Sequence, residues 1–537
     1  MSERPNIIFI MSDDHASHAI SCYTKDDPLR PVINDTPNLD RIANEGMRCD
    51  NCFCTNSICT PSRAVILTGK HSHHPLNRVR TFLPMDNTLP TVAKDLQKAG
   101  YQTAMIGKWH LGIGPEHCPT GFDYWKVLPG QGDYHDPLFI EMDPDTPGGK
   151  RNRQKGYTTD IITDDTINWL KNRDKDKPFF VMCHHKAPHR PWIPDKKHQD
   201  MFKDEDIPIP ETFNDDHSSS RARENARMRV DRDFNSGDVK LIPPMGVAFG
   251  ERLAVPKPED LASQEFIPYD PLDDDWEGEP ITFKSLEERK HYFYQRYIKE
   301  YLRVIASIDD NVGRLLDFLD EEGLTENTMV IYTSDQGFFL GDHAWYDKRF
   351  FLEESVRMPF LIRYPKEIKP RTINKDLILN LDFAPTWLDL AGVDIPKEMQ
   401  GVSFRPVLQG NTPDDWRTSM YYRYWMNQDG AHNTTAHYGI RTVGPTCKEM
   451  KLIYYYADGM GIADTGKYRQ FIGKEDPNDP TLEQIQEWEC FDLDRDPYEM
   501  KNVYKDPEYK GIIKELKDEL HQLQKEVGDE PYPGEID

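Results

Sequence analysis

The chain has 537 residues, 37% of them hydrophobic, and carries a formal net charge of −26 with a pI near 5.1. So acidic a surface repels nucleic acid and anionic membranes and excludes both as partners, and an anionic ligand needs positive charge gathered locally. The length points to two or three domains, and no apolar run approaches the roughly 20 residues needed to cross a bilayer.

The first apolar stretch, NIIFIM (Asn6 to Met11), reads as a buried strand and runs straight into Ser12-Asp13-Asp14. It lacks the basic leader and small-residue cleavage site of a secretory signal. The expected location is the cytoplasm as written, or outside it (secreted or periplasmic) if a leader has been removed. Next come RCDNCFCTNSIC and CTPSRAVILTG, with four cysteines, Cys49, Cys52, Cys54 and Cys59. Pro61 suits the first turn of a helix, which puts Cys59 at a helix N-terminus, where an anion or nucleophile is favoured. A metal cluster and a plain buried thiol are the alternatives, although C-x2-C-x-C matches paired CxxC knuckles poorly. The other five cysteines are scattered, which is no disulfide framework.

A helix follows over TLPTVAKDLQKAG, with Leu89, Val92, Ala93 and Leu96 on one face and Gly100 as its stop. YQTAMIG (Tyr101 to Gly107) and PFFVMC (Pro178 to Cys183) are further buried strands; the first leads to Lys108-Trp109-His110, the second to His184, His185, Lys186 and His189. Residues from about 196 to 280 are polar and read as a surface excursion that shapes a pocket or is simply solvated. An apolar stripe from Tyr301 to Glu322 predicts a long helix, and TMVIYTS (Thr328 to Ser334) a strand that opens onto Asp335-Gln336-Gly337. Strands alternating with helices give an α/β fold with a sheet covered on both faces. After about Gly410, aromatic strands (SMYYRYW, KLIYYY, WECFDL) and a charged closing helix suggest a smaller α+β domain. The expected division is 1–410 and 411–537.

Open α/β sheets bind ligands at the carboxyl ends of their strands. Four strands here deliver Asp13, Asp14, Asp335, Gln336, Lys108, His110 and His189 to one edge. The hard oxygen donors Asp13, Asp14, Asp335 and Gln336 favour Ca²⁺ or Mg²⁺ over Zn²⁺. Lys108, Lys348, His110 and His189 form the complementary set, charges for an oxyanion and groups that move protons near neutral pH.

Cys59-Thr60-Pro61-Ser62-Arg63 followed by Leu67-Thr68-Gly69 resembles the signature of the type I sulfatases, in the alkaline-phosphatase-like superfamily, and GKWHLG (Gly107 to Gly112) is similar to their second signature. The early DD pair, the APHxP and SDxG segments and a downstream lysine keep the family's order. The resemblance runs from Pro5 to about Tyr504. It implies a large, mainly parallel sheet sandwiched by helices, with a smaller C-terminal domain. It also implies that Cys59 is converted to formylglycine by a formylglycine-generating or anaerobic sulfatase-maturing enzyme, and that the aldehyde hydrate attacks a sulfate ester. By resemblance Ca²⁺ (or Mg²⁺) is held by Asp13, Asp14, Asp335, Gln336 and the modified Cys59. Arg63 and Lys108 steady the hydrate, His110 is the base for sulfate release, and His189 and Lys348 grip the sulfate. Gln336 departs from the family's usual Asn or His.

The stretch SDQGFFLGDHAWYDKRFFLEESVRMPFLIRYP resembles carbohydrate sulfatases of the glycosaminoglycan type, in particular those for 6-sulfated N-acetylglucosamine. By that analogy His437 and Arg441 contact the sugar, the alternative being a strand edge with a paired arginine; Trp345 and Tyr346 offer stacking faces or simply pack beside the catalytic loop. A phosphate or phosphonate monoester hydrolase of the same superfamily is the alternative enzyme. A binder of sulfated glycans is the alternative if Cys59 stays a thiol.

Overall fold

The computed structural model describes residues 4–74, 83–273, 278–444, 447–456 and 485–536. Ten strands form the main sheet: β1 (Asn6–Ser12), β2 (Met47–Cys49), β3 (Gln102–Lys108), β4 (Tyr124–Leu128), β5 (Leu138–Glu141), β6 (Lys150–Arg153), β7 (Phe179–His184), β8 (Thr328–Ser334), β9 (Phe360–Arg363) and β10 (Thr372–Asn374). Their order is β10-β2-β9-β8-β1-β7-β3-β4-β5-β6. The central five, β8 to β4, run parallel, with Ser12 beside Ser334, Met11 beside His184, and Gly107 beside His184. That register brings the residues after β1, β3, β7 and β8 to one edge.

Alternation along β1 divides the core. Ile7, Phe9 and Met11 pack with helices α2 (Cys59–Thr68), α3 (Val92–Lys98) and α6 (Phe383–Leu390), whereas Ile8 and Ile10 face α1 (Pro37–Glu45), α4 (Thr158–Asn172) and α5 (Leu286–Glu321). The predicted strands agree with these elements to within a residue or two, while the helix predicted over 88–100 is shorter at its start and runs from Val92 to Lys98. The long helix departs further: α5 begins fifteen residues before Tyr301, at a Ser285 cap whose side chain accepts from Glu288 N at 3.1 Å.

The C-terminal sheet is antiparallel, β11 (Ser419–Tyr424), β12 (His437–Thr442), β13 (Met450–Tyr455) and β14 (Glu487–Asp492) in that order. One face (Tyr422, Tyr424, Ile453, Tyr455) joins the main core; the other (Tyr438, Ile440, Leu452, Tyr454) packs under α7 (Lys510–Glu526).

The polar excursion is not a solvated loop. Met228, Val230, Phe234, Val239 and Leu241 within it are fully buried. Its backbone braces the segment ahead of Lys348: Tyr346 N donates to Met228 O and Val230 N to Ala344 O, each at 2.9 Å. Of the acidic run DDD, Asp274 and Asp275 lie outside the described residues. Among the described residues, no helix is long and apolar enough to cross a membrane.

Candidate active site

Parallel strands end together, so the polar residues that follow them meet. Asp13 and Asp14 leave β1 beside Asp335, which leaves β8; each of the three offers an oxygen, all within 4.8 Å of one another, and Asp13, Cys59 and His189 form a second such group. Asp13 Oδ1, Asp14 Oδ2 and Gln336 Oε1 are buried and take no hydrogen bond among the described residues. Buried oxygens left unsatisfied are costly. A cluster of this composition fits a hard divalent cation. Gln336 belongs to it, its Nε2 donating to Asp14 Oδ1 at 2.5 Å.

Cations surround the carboxylates. Arg63, one turn into α2, donates through Nε to Asp335 Oδ2 at 2.9 Å and through a terminal nitrogen to Lys108 O at 2.7 Å. Lys108 Nζ pairs with Asp13 and donates to Gln131, and Lys348 Nζ donates to Asp14. His189 Nε2 lies 3.8 Å from Asp14 Oδ2, while its Nδ1 bonds Arg190 O at 2.9 Å. His110 closes the set, with Nδ1 buried and without a hydrogen-bond partner among the described residues. Gly107 lets β3 approach β7 this closely: a Cβ there would stand 1.9 Å from His184 O. Left-handed φ at Asp14 (70°), His110 (56°), Asp347 (82°) and Arg349 (98°) marks the site as strained backbone held by its surroundings.

The electrostatics follow from burial. Cys59 is 3% exposed at the head of α2. Burial, against the pull of Lys348, pushes its thiol up to about 12, so as a thiol it stays protonated at neutral pH. Burial also raises the Asp14 carboxyl to about 6, only partly offset by Lys348. Burial and then the neighbouring lysines hold His110 and His189 well below the ordinary imidazole value, so both rings are neutral. In Lys348 burial, the largest single effect, is outweighed by Asp14 together with the other anionic groups around it, Asp347 among them, and the ammonium is held above its usual value. The upstream Cys49, Cys52 and Cys54 are buried and free, and join no ligand group among the described residues.

His437 and Arg441 do not reach this cluster. Both lie on β12, fully buried and already partnered. His437 Nε2 accepts from Phe351 N at 3.2 Å and its ring stacks on Phe350, centroids 5.5 Å apart; Arg441 pairs with Glu353 at 3.0 Å and Glu449 at 2.7 Å. They tie the C-terminal sheet to the loop beyond Lys348. Trp345 and Tyr346 are no stacking platform either: Trp345 is buried against His217, centroids 4.3 Å apart, and Tyr346 donates its hydroxyl to Asp233 O at 2.6 Å.

A set missed in the sequence adjoins Lys348. Asp347 pairs with Arg349, with Arg190, and with His432 Nε2 at 3.2 Å. Arg190 directly follows His189, but His432 sits on a loop of the C-terminal domain that only the fold brings here. Lys186, under His189, was likewise unassigned; burial lowers its ammonium to about 8.

A family profile described as "Sulfatase" matches residues 5–393, and one described as "N-sulphoglucosamine sulphohydrolase, C-terminal" matches 341–478 and 481–526. An N-acetylglucosamine-6-O-sulfatase of Bacteroides thetaiotaomicron is 41% identical, over 98% of this chain and 88% of its own. The N-acetylglucosamine-6-sulfatase of Homo sapiens is 26% identical, over 84% of this chain and 70% of its own. A protein solved in complex with its substrate D-glucosamine-2-N,6-O-disulfate superposes with a TM-score of 0.80 at 39% identity, covering 98% of both chains. A phosphonate monoester hydrolase of Agrobacterium radiobacter shares the fold alone, with a TM-score of 0.66 at 18% identity over 98% of this chain and 96% of that one. The chain belongs to the sulfatase family, enzymes that hydrolyse sulfate esters.

Proposed function

We propose that this sulfatase removes the 6-sulfate from a glucosamine or N-acetylglucosamine unit of a glycosaminoglycan-type carbohydrate. The observation that carries this reading is the 39%-identical structure, alike over 98% of both chains, whose substrate is a 6-O-sulfated glucosamine. The 41%-identical relative, an N-acetylglucosamine-6-O-sulfatase, supports it.

Cys59 is the nucleophile position. As a buried thiol with a pKa of about 12 it attacks poorly; conversion to formylglycine by a maturing enzyme would place a hydrated aldehyde here and supply an oxygen nucleophile for the sulfate ester. Asp13, Asp14, Asp335 and Gln336 would hold a divalent cation, Ca²⁺ by preference, which supplies Lewis-acid stabilisation of developing oxygen charge. Lys108 and Arg63, already anchored on Asp13 and Asp335, present positive charge to the same point. Lys348 remains an ammonium and binds the sulfate as a charge.

His189 gives its Nδ1 hydrogen to Arg190 O, so in the neutral ring Nε2 carries the lone pair. A bound sulfate offsets the repulsion from Lys108, Lys186 and Lys348, and Nε2 then takes up a proton from solvent and passes it to the leaving sugar oxygen. His110, neutral and with no hydrogen-bond partner at Nδ1 among the described residues, serves as the base in the second half of the reaction. Beside Lys348, the Asp347–Arg349–His432 set faces the sugar hydroxyls.

The test is sulfate release from N-acetylglucosamine 6-sulfate by the matured protein, measured beside phosphate release from an aryl phosphate. Turnover of the sulfated sugar is expected to dominate. Faster phosphate release, or none from either with Cys59 converted, would overturn the reading.

A further inference from the structure

We infer that a second sugar subsite adjoins the sulfate cluster, in a cavity of about 370 Å³ lined by Arg190, Ile193, Asn235, Asp238, Phe249 and Tyr269, and that it takes an uncharged pyranose linked to the sulfated one. The inference rests on the 6-sulfated glucosamine reading and extends it from one sugar to two.

Arg190 joins the two places. Its guanidinium pairs with Asp347 and lies 3.2 Å from His432 Nε2 on the side of Lys348, and it lies 3.6 Å from Asp238 Oδ2 on the side of the cavity. Arg190, next in sequence to His189, thus lines the cavity while pairing with Asp347, next to Lys348. Its volume is at the lower end of the roughly 300–1,000 Å³ found for small-molecule sites, the scale of one ring rather than a chain.

The lining has the two features a pyranose needs, an aromatic wall for its C–H face and a fixed acceptor for its hydroxyls. Phe249 is 62% exposed, a large apolar ring left facing water, and Tyr269 stands beside it with centroids 6.0 Å apart at 53°. Asp238 is 2% exposed, yet its Oδ2 takes no hydrogen bond among the described residues. Such a buried acceptor, with only the Arg190 guanidinium 3.6 Å away among the described residues, has capacity for a further donor.

The walls are rigid. Gly250 N donates to Ser236 Oγ at 2.8 Å, Ser236 N to Glu251 O at 3.3 Å, and Asp238 N to Asn235 Oδ1 at 2.9 Å. Lys240 Nζ binds Trp192 O at 3.0 Å and Asp238 O at 3.2 Å, so it is spent on the floor. The one remaining cation of the lining, Arg190, already faces two carboxylates. Arg190 and Asp238 thus face each other at 3.6 Å, and the lining leaves no cation over for a carboxylate or a second sulfate on the incoming ring. The occupant is neutral, and it reads as a hexose or N-acetylhexosamine.

The experiment compares kcat/KM of the matured enzyme on three probes: N-acetylglucosamine 6-sulfate, a disaccharide in which a neutral hexose follows that sugar, and one in which a uronate follows it. The neutral disaccharide is expected to exceed the monosaccharide by about threefold to tenfold, the scale of one aromatic contact, and the uronate to gain nothing. Phe249→Ala and, separately, Tyr269→Ala should cost more on the neutral disaccharide than on the monosaccharide. Equal values for monosaccharide and disaccharide, a preference for the uronate, or a Phe249→Ala loss equal on both sugars would overturn the subsite while leaving the 6-sulfatase reading intact. Turnover of none of the three would overturn both.

Discussion

Replacing Arg63 with alanine tests how the site is held together. Arg63 is 2% exposed, and among the described residues it is the one cation within ion-pair distance of Asp335, itself fully buried. Two guanidinium nitrogens reach Asp335 Oδ2 at 2.9 Å and a third group reaches Lys108 O at 2.7 Å, so the side chain pins α2 to the ends of β8 and β3. In Arg63→Ala the Asp335 carboxylate keeps only a long bond from Asp14 N, 3.3 Å. A buried charge stripped of its partner costs about 3–5 kcal/mol. Arg63→Lys keeps the charge but cannot span Asp335 and Lys108 O together, which leaves a loss of about 1.5–3 kcal/mol, one charge-assisted hydrogen bond. Urea unfolding in EDTA measures both. A saturating divalent cation should shrink the Arg63→Ala deficit, because Asp335 regains a countercharge. An Arg63→Ala protein within about 1 kcal/mol of wild type in EDTA, or a lysine variant as damaged as the alanine one, refutes the reasoning.

Four further outcomes are expected. Adding Ca²⁺ at about 100 times its Kd to chelated protein should stabilise it by about 2.7 kcal/mol and raise Tm by a few degrees, and Asp13→Ala should abolish the rise; an equal rise in both places the ion elsewhere. His110→Ala should lower kcat by about 10²–10⁴-fold. Because burial and the lysines depress the His110 pKa, its basic form persists below pH 6.5, so the acid limb of the wild-type rate should fall below that value; a limb at or above it contradicts the assignment. Burial also lowers His15 to about 3 and His185 and His437 to about 4. A depressed folded pKa means that the unfolded chain binds protons first, so stability is full above about 6.5 and drains away as pH falls toward 4. Asp14 and Asp309, raised to about 6, and Glu499, raised to about 7, act in the opposite sense, but burial depresses a larger set of imidazoles, His71, His110, His184, His189 and His217 among them; melting that is flat between pH 7 and 5 would count against this. Finally, Arg441→Ala should lower Tm and leave KM for the sulfated sugar unchanged, since its guanidinium is spent on Glu353 and Glu449; a raised KM with an unaltered Tm would restore it to the substrate.

Much of the cluster is legible in one dimension because parallel strands are continuous apolar runs, and whatever follows them must meet at one sheet edge. Asp13, Lys108, His189 and Asp335 are read that way. His437 and Arg441 were misplaced because motif order says nothing of facing: on β12 they share a face with Gly439, whose absent Cβ makes room for Phe351, and that face packs inward. The start of α5 was missed because its first turns are charged, although Ser285 with Glu288 three residues on is a capping signal. The solvated reading of the excursion failed because its apolar residues are spaced singly among charges, yet Phe213, Met228, Val230, Phe234, Leu253 and Phe266 among others are buried and anchor it. Arg190, Asp347 and His432 come from three distant segments, and no local pattern links them.

The most direct measurement pairs two numbers from the same samples: the fraction of Cys59 converted, from the mass of the tryptic peptide CDNCFCTNSICTPSR (Cys49 to Arg63), and the rate of sulfate release from N-acetylglucosamine 6-sulfate. Preparations matured to different extents should give a rate proportional to the converted fraction, falling to zero with unmodified Cys59 and in Cys59→Ala. Turnover by protein whose Cys59 is still a thiol, or full conversion with no sulfate released, would contradict it.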